Sequence, residues 1–277
     1  TWTQSDTEME RYAFVCRYDR RGNLVYSRVP GAGAVEMRYD PLNRPAFRQT
    51  AAMRERGETE FTLYDPIGRV AVTGISYGEM PAADSVPVMT ASYSGTDGGI
   101  GGTGYPAPEG LVLHDASVTS ASYYDSYGFL DMPGYDTLPD NPLMKYLFGG
   151  NGSDGNGAGQ LTGSRIAVFS GNEDGTCPVS PVYACYRYDA DGNMTEATES
   201  TAVPGTFLNT ERNYSTQGIL LNETHRVITP DTAYHISRHF TYDSAGFLTG
   251  ESLTDGSGSG KGLTDSKKYI AAVSYTY

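Results

Sequence analysis

A seven-residue pattern organises this chain of 277 residues. It is first seen at residues 18–24 as Tyr-Asp-Arg-Arg-Gly-Asn-Leu and returns, with small changes, six more times. Internal repetition decides the fold class before any other motif, because each repeat is one structural unit that buries its surface only against its neighbours. The residues that define the seven copies are Tyr18, Asp19, Gly22 and Leu24; Tyr39, Asp40 and Asn43; Tyr64, Asp65 and Gly68; Tyr124, Asp125 and Gly128; Tyr188, Asp189 and Gly192; Tyr214 and Gly218; and Tyr242, Asp243 and Gly246.

The pattern predicts a β-hairpin turn. An Asp at the first turn position accepts backbone N–H groups further along the turn, and a Gly three residues later supplies a positive φ. These features indicate a three-residue hairpin loop with a bulge, in which Tyr18 lies opposite Leu24 on one face. The same register predicts further cross-strand pairs, the contacts that stabilise neighbouring strands. They are Tyr64 with Val70, Tyr124 with Leu130, Tyr188 with Met194, Tyr214 with Leu220, and Tyr242 with Leu248.

Two copies depart from the pattern. In the second copy Asn43 stands for Gly, and Asn tolerates left-handed backbone better than most residues. In the same copy Pro45 occupies the apolar position and has no N–H to donate, so we expect this copy to lie at a sheet edge or to interrupt its ladder locally. In the sixth copy Ser215 stands for Asp and makes a weaker version of the same local hydrogen bond.

The spacing of the motif tyrosines divides the chain. Tyr18, Tyr39 and Tyr64 are 21 and 25 residues apart, which suits short strands with two reversals per repeat. The next two intervals are 60 and 64 residues, and the last two return to 26 and 28. We therefore predict one β domain over residues 1–277, with Gly- and Pro-rich insertions at 77–116 and 131–182. The second insertion contains a predicted short helix, with Asn141 as its N-cap, Pro142 at its first position and residues 143–148 following.

Charge and composition limit the classes of partner. Twenty Lys and Arg against 33 Asp and Glu give a net charge of −13. This balance argues against a nucleic acid partner, which requires a basic face. The 34 Gly and 22 Tyr fit a turn-rich, all-β chain. No run of 18 apolar residues occurs, so we expect no membrane span.

The three cysteines do not indicate a disulfide scaffold, because their number is odd. Cys177 and Cys185 either pair across the loop between them or remain thiols, and the sequence leaves both alternatives open. Cys16 lies on the apolar side of the first predicted strand, so we expect it to be a small buried hydrophobic residue.

Several motifs of known chemistry occur in contexts that do not support that chemistry. Residues 99–104 match G-x-G-x-x-G, but Tyr105 and Pro106 follow where a helix must begin, so a loop is predicted. Residues 149–157 nearly match a calcium-binding nonapeptide and lack its neighbouring copies, which leaves an adventitious calcium site as the alternative to a loop. His235 and His239 have zinc-pair spacing for a helix but lie about 13 Å apart on the strand predicted here. We predict no metal, no cofactor and no catalytic residue.

The repeats resemble those of the YD-repeat, or Rhs, family. The mark of that family is Tyr-Asp followed three residues later by Gly and then by an Arg and an aliphatic residue, as in residues 64–70, Tyr-Asp-Pro-Ile-Gly-Arg-Val. The middle of the chain, from Tyr123 through 161–164 to His225, is more loosely similar to the Rhs-type proteins of Bacteroidetes. The resemblance implies a large, secreted or surface-exposed protein. Its hairpins would form a ribbon that spirals into a hollow shell, often around a C-terminal toxin or effector.

We therefore expect an all-β fold of antiparallel hairpin repeats, curved or spiralling as part of such a shell, with at most one short helix. The expected function is structural and non-enzymatic. The chain starts within the pattern and ends at Tyr277, where an Asp would be expected next, so we expect a piece of a longer protein. Its main partner is then the rest of its own full-length chain, and we expect a monomer whose insertions cap its apolar face.

Two other functions remain open from the sequence. A carbohydrate- or cell-surface-binding module would use aromatic side chains off the motif face, such as Tyr123, Tyr183 and Tyr186, unless these are buried under neighbouring segments. A hydrolase would need paired carboxylates roughly 5–10 Å apart in a pocket formed by the insertions.

Overall fold

The computed structural model describes residues 12–95, 98–132, 157–169, 179–203, 205–259 and 268–274. The predicted all-β class is confirmed, because strands follow one another in chain order and pair antiparallel with their neighbours. The chain divides into two compact units, Thr1–Ala121 and Ser122–Tyr277, where the sequence predicted one domain. Each unit is described by itself. Within the described ranges, no helix is long and apolar enough to cross a membrane.

The first unit is a run of hairpins. Its strands are β1 (Val15–Tyr18), β2 (Leu24–Arg28), β3 (Val35–Tyr39), β4 (Pro45–Gln49), β5 (Glu58–Tyr64), β6 (Val70–Tyr77) and β7 (Ser117–Tyr124), the last three residues of which belong to the second unit. A short helix, α1 (Ala51–Glu55), connects β4 and β5. The side chain of Thr50 caps it by accepting the N–H of Met53, which satisfies one of the free donors at the helix start.

The core of the first unit lies on one face of β5 and β6. Thr59, Phe61 and Leu63 alternate as buried residues along β5, as a strand with one covered face requires. Gly74 on β6 makes room for the Phe61 ring, because a Cβ there would lie 2.5 Å from that ring. Residues 78–116 contain no strand in the part that the structure describes, yet they contribute buried side chains to this unit. These are Val86, Met89, Ala91 and Tyr105.

The second unit is a longer run of antiparallel strands. They are β8 (Leu161–Phe169), β9 (Val179–Tyr188), β10 (Met194–Ser200), β11 (Phe207–Tyr214), β12 (Leu220–Ile228), β13 (Thr232–Tyr242), β14 (Leu248–Ser259) and β15 (Lys268–Ser274). Two short 3-10 helices complete the described helical structure, Ile100–Gly102 in the first unit and Gly128–Asp131 in the second.

One face of β10–β13 is polar, and two of its residues are almost fully buried. Thr198 and Asn209 are only 2% and 1% exposed, and the Asn209 side-chain amide donates to the Thr198 hydroxyl at 2.9 Å. Hydrogen bonds of this kind replace the water that these groups lose on folding. Cross-strand register defines the polar face as two adjacent rows, Thr198, Asn209, Arg226 and His235 in one, and Glu196, Glu211, Thr224 and Ser237 in the other.

The boundaries of the second predicted insertion are too wide. β8 and β9 both lie within the predicted range 131–182, since Leu161–Phe169 pairs with Val179–Tyr188. The strand signal was missed because Gly157, Gly159 and Gly163 gave this part of the chain the composition of a loop. The helix predicted at 143–148, and Cys177, lie outside the described residues.

The prediction that Cys16 is buried is wrong. Cys16 is exposed, and Phe14 and Tyr18 are 77% and 62% exposed. β1 is the first strand in the sheet order, and none of the described residues covers it. Cys185 on β9 is buried instead, and this burial raises its pKa to about 12, which keeps the thiol protonated and unreactive at neutral pH.

Of the two alternatives predicted for Pro45, the edge position is wrong, and the local interruption of the ladder agrees with the structure. β4 lies between β3 and β5, and Pro45 pairs with Tyr39 across its own hairpin. The ladder towards β5 begins at Phe47, beyond the residue that lacks an N–H. A proline is therefore accommodated at an interior strand because it stands at the strand's first residue.

Candidate functional site

The hairpin turn at residues 18–24 shows the geometry that recurs through the chain. The Asp19 N–H donates to the Asn23 carbonyl at 2.9 Å, and one Asp19 carboxylate oxygen accepts the N–H groups of Arg21 and Asn23, both at 2.8 Å. Gly22 closes the turn with φ of +84°, and the register shifts at Tyr18, which pairs with Leu24. Turn and bulge together fix which side chains face each other across the hairpin.

Five further turns repeat this arrangement. The residue in the glycine position has a positive φ in each, including Asn43 at +61°. Ser215 makes the same two bonds as the aspartates, but at 3.2 Å each instead of 2.8–3.0 Å, because a hydroxyl is a weaker acceptor than a carboxylate. Four of these tyrosines pair with the residues predicted from the sequence: Tyr64 with Val70, Tyr188 with Met194, Tyr214 with Leu220, and Tyr242 with Leu248. Tyr39 pairs in the same way with Pro45.

The second carboxylate oxygen of the motif aspartate has its own partner in four turns. The side chain four residues later donates to it, as when the Asn23 amide binds Asp19 at 2.9 Å and the Arg69 guanidinium binds Asp65 at 2.5 Å. Arg44 and Asn193 do the same for Asp40 and Asp189. The sequence analysis noted an Arg at this position but missed its bond to the aspartate, although the recurrence of Asn or Arg there was a readable signal. Carboxylates held on both oxygens in this way are structural acceptors.

The fourth turn does not form where the sequence placed it. Gly128 begins a 3-10 helix, so Leu130 is not the cross-strand partner of Tyr124. The Asp125 N–H donates instead to the Gln160 carbonyl at 3.1 Å, and the Asp125 carboxylate accepts the N–H of Gly159 at 2.7 Å. Gly159 has φ of +78°, close to the value at Gly22. The turn glycine of this repeat is therefore Gly159, which lies 34 residues after Asp125 in the sequence.

The motif tyrosines link successive repeats. The Tyr39 hydroxyl donates to the Leu24 carbonyl at 3.0 Å, and Leu24 is the first strand residue after the preceding turn. The Tyr188 hydroxyl donates to Leu161 at 2.8 Å, which places Leu161 in the position of Leu24 and supports the reassigned fourth turn. This tyrosine ladder was missed from the sequence. Its other members are Tyr64 to Pro45 at 2.7 Å, Tyr214 to Met194 at 3.0 Å, and Tyr242 to Leu220 at 2.8 Å.

Removing one hydroxyl from the tyrosine ladder should destabilise the fold modestly. We expect Tyr242→Phe to lower the free energy of unfolding by about 0.5–1.5 kcal/mol, because the Leu220 carbonyl loses a donor while the ring packing is kept. Urea unfolding followed by circular dichroism measures this difference. Tyr18→Phe is the matched control, since Tyr18 is 62% exposed and its hydroxyl makes no such bond within the described residues. Equal losses in both variants would contradict the ladder.

The turn glycines should be sensitive to a β-carbon mainly for backbone reasons. A Cβ built on Gly22 meets nothing within 4 Å, and one on Gly246 meets only an Ile219 methyl at 4.0 Å. A Cβ on Gly192 meets the Gln160 side-chain nitrogen at 3.3 Å, and that side chain is flexible enough to move. We expect Gly22→Val, Gly192→Val and Gly246→Val each to cost about 1–2 kcal/mol through left-handed strain. Gly246→Asn is the control, because Asn43 occupies the same position naturally, and its thermal unfolding should stay close to that of the wild type.

Asp40 is the centre of a buried charge network in the first unit. Its side chain is fully buried and binds the Arg44 guanidinium at 2.6 and 2.9 Å. It also accepts the N–H of Met89 at 3.3 Å. Burial by itself would raise the pKa of Asp40, but the hydrogen bonds from Arg44 and Met89 outweigh it and lower that pKa below the ordinary value. Asp40 is therefore held as a carboxylate.

A strap of irregular chain, residues 88–91, crosses this network. The Tyr64 N–H donates to the Met89 carbonyl and the Ala91 N–H donates to the Tyr64 carbonyl, both at 2.8 Å, so the strap adds a short parallel bridge to the end of β5. Arg44 bonds the Thr90 hydroxyl at 2.8 Å and stacks over the Tyr64 ring at 4.6 Å. The strap thereby ties the second and third turns together.

A stack of two aromatic rings forms part of the core of the second unit. Phe129, from the chain inserted in the fourth turn, lies 4.7 Å from the Tyr123 ring in a stacked arrangement. It sits on Gly163, where a Cβ would come within 2.2 Å of the Phe129 ring. Tyr127 donates from its hydroxyl to the Tyr186 carbonyl at 2.8 Å. Tyr123, at 2% exposed, is therefore a core residue and not the sugar platform considered from the sequence.

The remaining sequence motifs are placed as follows. Residues 99–104 form a loop that contains the single 3-10 turn Ile100–Gly102, and Gly99 packs directly against the backbone of Tyr105. No strand precedes this turn directly and no α-helix follows it within the described residues. His235 and His239 both lie on β13, as predicted for a strand, and His239 bonds the Asn222 side chain at 2.6 Å. Of residues 149–157, only Gly157 falls within the described part of the chain.

A pocket of about 190 Å³ in the first unit is lined by residues from β4 to β6 and from the irregular segment that follows them. The two hydroxyl groups that line the pocket already have hydrogen-bond partners. Thr59 accepts the Gln49 amide at 3.1 Å, and Ser76 accepts the His114 N–H at 2.9 Å. The lining residues are Phe47, Thr59, Ser76, Glu79, Pro81, Val112 and His114.

Comparison with known proteins gives similarity only to solved structures. No protein-family model and no curated protein matches the chain. A crystal structure of TcdB2-TccC3 without its hypervariable C-terminal region is 12% identical, with a TM-score of 0.33. The Photorhabdus luminescens Tc holotoxin pore and a TcdB2-TccC3-TEV crystal structure are each 13% identical, with TM-scores of 0.29 and 0.28. Each match covers 95% of this chain, which spans only 12–13% of the length of the chains it matches.

Proposed function

We propose that this chain is a structural wall segment of a larger YD-repeat-like protein. One observation carries the proposal: the motif residues use their hydrogen-bonding groups to hold the repeats together. Each motif aspartate of the six regular turns accepts hydrogen bonds that close its own turn, and each ladder tyrosine donates to the preceding repeat. A surface built from such residues extends a sheet by one hairpin per repeat and does no chemistry. The chain is accordingly proposed to be non-enzymatic.

In the full-length protein the segment would form part of a β-shell that encloses or presents a C-terminal effector. The proposal extends to a secreted or cell-surface location and to a monomer that acts with the rest of its own chain. The residues and their turn geometry support it, because hairpins that add one after another lengthen a sheet without a fixed end. The resemblance of residues 64–70 to the family motif supports it independently.

Limited proteolysis of the full-length gene product tests the enclosure. The part of the protein that follows residue 277 should resist protease when joined to intact repeats and should be cut quickly when it is expressed alone. Asp40→Ala, which breaks a buried turn, should increase the cutting rate, whereas the exposed Asp243→Ala should not. Equal cutting rates with and without the repeats would rule out enclosure and leave only presentation on a surface.

A glycan- or surface-binding module is the second candidate, and exposed rings favour it. Phe14, just before β1, and Tyr18, at its end, are 77% and 62% exposed, and exposed aromatic rings suit stacking on the apolar face of a sugar. A glycan array, with a Phe14→Ser/Tyr18→Ser double variant as the control, measures this. Binding that disappears in the double variant supports this candidate, and an array without signal above background removes it.

A further inference from the structure

Two glutamates face each other across adjacent strands of the polar face. Glu196 on β10 is paired in register with Glu211 on β11 and with Arg187 on β9. Like charges placed directly opposite each other on a sheet destabilise it, so this pair needs compensation. The Glu196 side chain is 18% exposed and the Glu211 side chain is 39% exposed, so water screens Glu196 much less.

The compensating charges are unevenly divided between the two carboxylates. Arg226 on β12 binds a Glu211 oxygen directly and also donates to the Asn209 side-chain oxygen at 3.2 Å. Glu196 receives the Asn209 amide at 3.1 Å and an Arg187 nitrogen only at 3.4 Å. The shorter ion pair, from Arg226, is therefore made by the more exposed Glu211. The more buried Glu196 makes the longer ion pair, with Arg187.

We propose that Glu196 and Glu211 form a proton-binding pair, with the proton resident on Glu196, that strengthens the junction of β10 and β11 in mildly acidic solution. A protonated Glu196 removes the repulsion across the strands. It still accepts the Asn209 amide and gains a donor of its own. The charged groups that face it, Arg187, Glu211 and Arg226, come from β9, β11 and β12, so the pair joins four strands.

The titration of Glu196 is consistent with this geometry. Burial raises the pKa of Glu196, and the Glu211 charge adds to that rise, more than Arg187, Asn209 and Arg226 lower it. A carboxyl whose pKa is raised on folding stabilises the fold fully below its ordinary pKa, which is 4.5 here, and loses that contribution as the pH rises through the folded value. The pH dependence of this contribution is opposite in sign to that of Asp40, whose contribution to the stability of the fold is lost as the pH falls.

Carbon-13 NMR of the Glu196 carboxyl in the wild-type chain is the direct test. We expect a titration midpoint above 4.5 that moves down towards that value in Glu211→Gln, because the variant removes the opposing charge and releases Arg226. A wild-type midpoint at or below 4.5 would overturn the proposal, and it does so whether or not any variant folds.

Thermal unfolding at two pH values is the second test. Glu196→Gln mimics the protonated side chain, so its melting temperature should exceed that of the wild type by about 2 °C at pH 7.5 and match it near pH 4.5. Glu199→Gln is the control, since it lies on the same strand and points to the opposite face. A melting temperature that falls equally at both pH values in Glu196→Gln would count against the pair.

Discussion

Replacing Asp40 by Ala is expected to lower the free energy of unfolding by about 3–5 kcal/mol, the cost of breaking a buried ion pair by removing one partner. Three effects add. The turn loses the acceptor for the N–H groups of Leu42 and Arg44, both now at 2.9 Å. The strap loses the bond from Met89. The Arg44 side chain, 16% exposed, is left without its carboxylate.

Asp243→Ala is the matched control for this experiment. Asp243 holds the same position in the seventh turn and accepts the same pair of N–H groups at 2.9 Å, but it is exposed and has no arginine four residues later. Urea unfolding should therefore show a clearly smaller loss. The Asp40→Asn variant separates charge from shape, since its deficit should shrink as the pH falls through the lowered pKa of Asp40, below 3.8. Equal losses at Asp40 and Asp243 would mean that the buried network adds nothing to the turn.

Phe129→Ala is expected to have the second large effect, about 3–5 kcal/mol, because it removes a ring that is 1% exposed and leaves a cavity beside Tyr123. The loss is measurable as a shift of the urea midpoint at unchanged slope. Ile67→Ala is the control, since Ile67 is 75% exposed and should behave as the wild type.

A double-mutant cycle shows whether Phe129 acts through Gly163. Gly163→Ala alone should be destabilising, because its Cβ would lie 2.2 Å from the Phe129 ring and the ring would have to move. In the Phe129→Ala background the same substitution meets a cavity and should cost much less. Strict additivity of the two changes would contradict the packing, since neighbours in direct contact normally couple.

The hairpin turns of this fold were predictable because the residues that specify each turn are close together in the sequence. Asp19 and Gly22 specify a turn within five residues, and the turn fixes the register that pairs Tyr18 with Leu24. Six of the seven turns follow from this rule. The sequence contained a signal for the tyrosine ladder that was not recognised: all seven copies carry Tyr and none carries Phe. Packing alone accepts either ring, so the constant hydroxyl indicated a hydrogen-bond partner.

The prediction of the fourth turn was wrong for a physical reason that the residue spacing does not show. Gly128 stands at the right distance from Asp125, but it begins a 3-10 helix in which the Phe129 ring is buried. The segment Gly159-Gln160-Leu161 also fits the second half of the motif, but only contacts in the structure identify it, namely the bonds of Asp125 and the bond from Tyr188. The strap at Met89 was beyond sequence reasoning altogether, because it joins residues 49 apart through a backbone N–H that any residue possesses.

The displaced fourth turn has a consequence for the order of assembly. The six regular motif hairpins close when groups four residues apart meet, as Asp19 and Asn23 do, whereas Asp125 must find Gly159 across 34 residues. The entropy of closing the longer loop adds about 2 kcal/mol to the barrier for that hairpin. Assembly should therefore start independently on either side of this point, and the meeting of the two nuclei, not the formation of any single turn, should set the folding time.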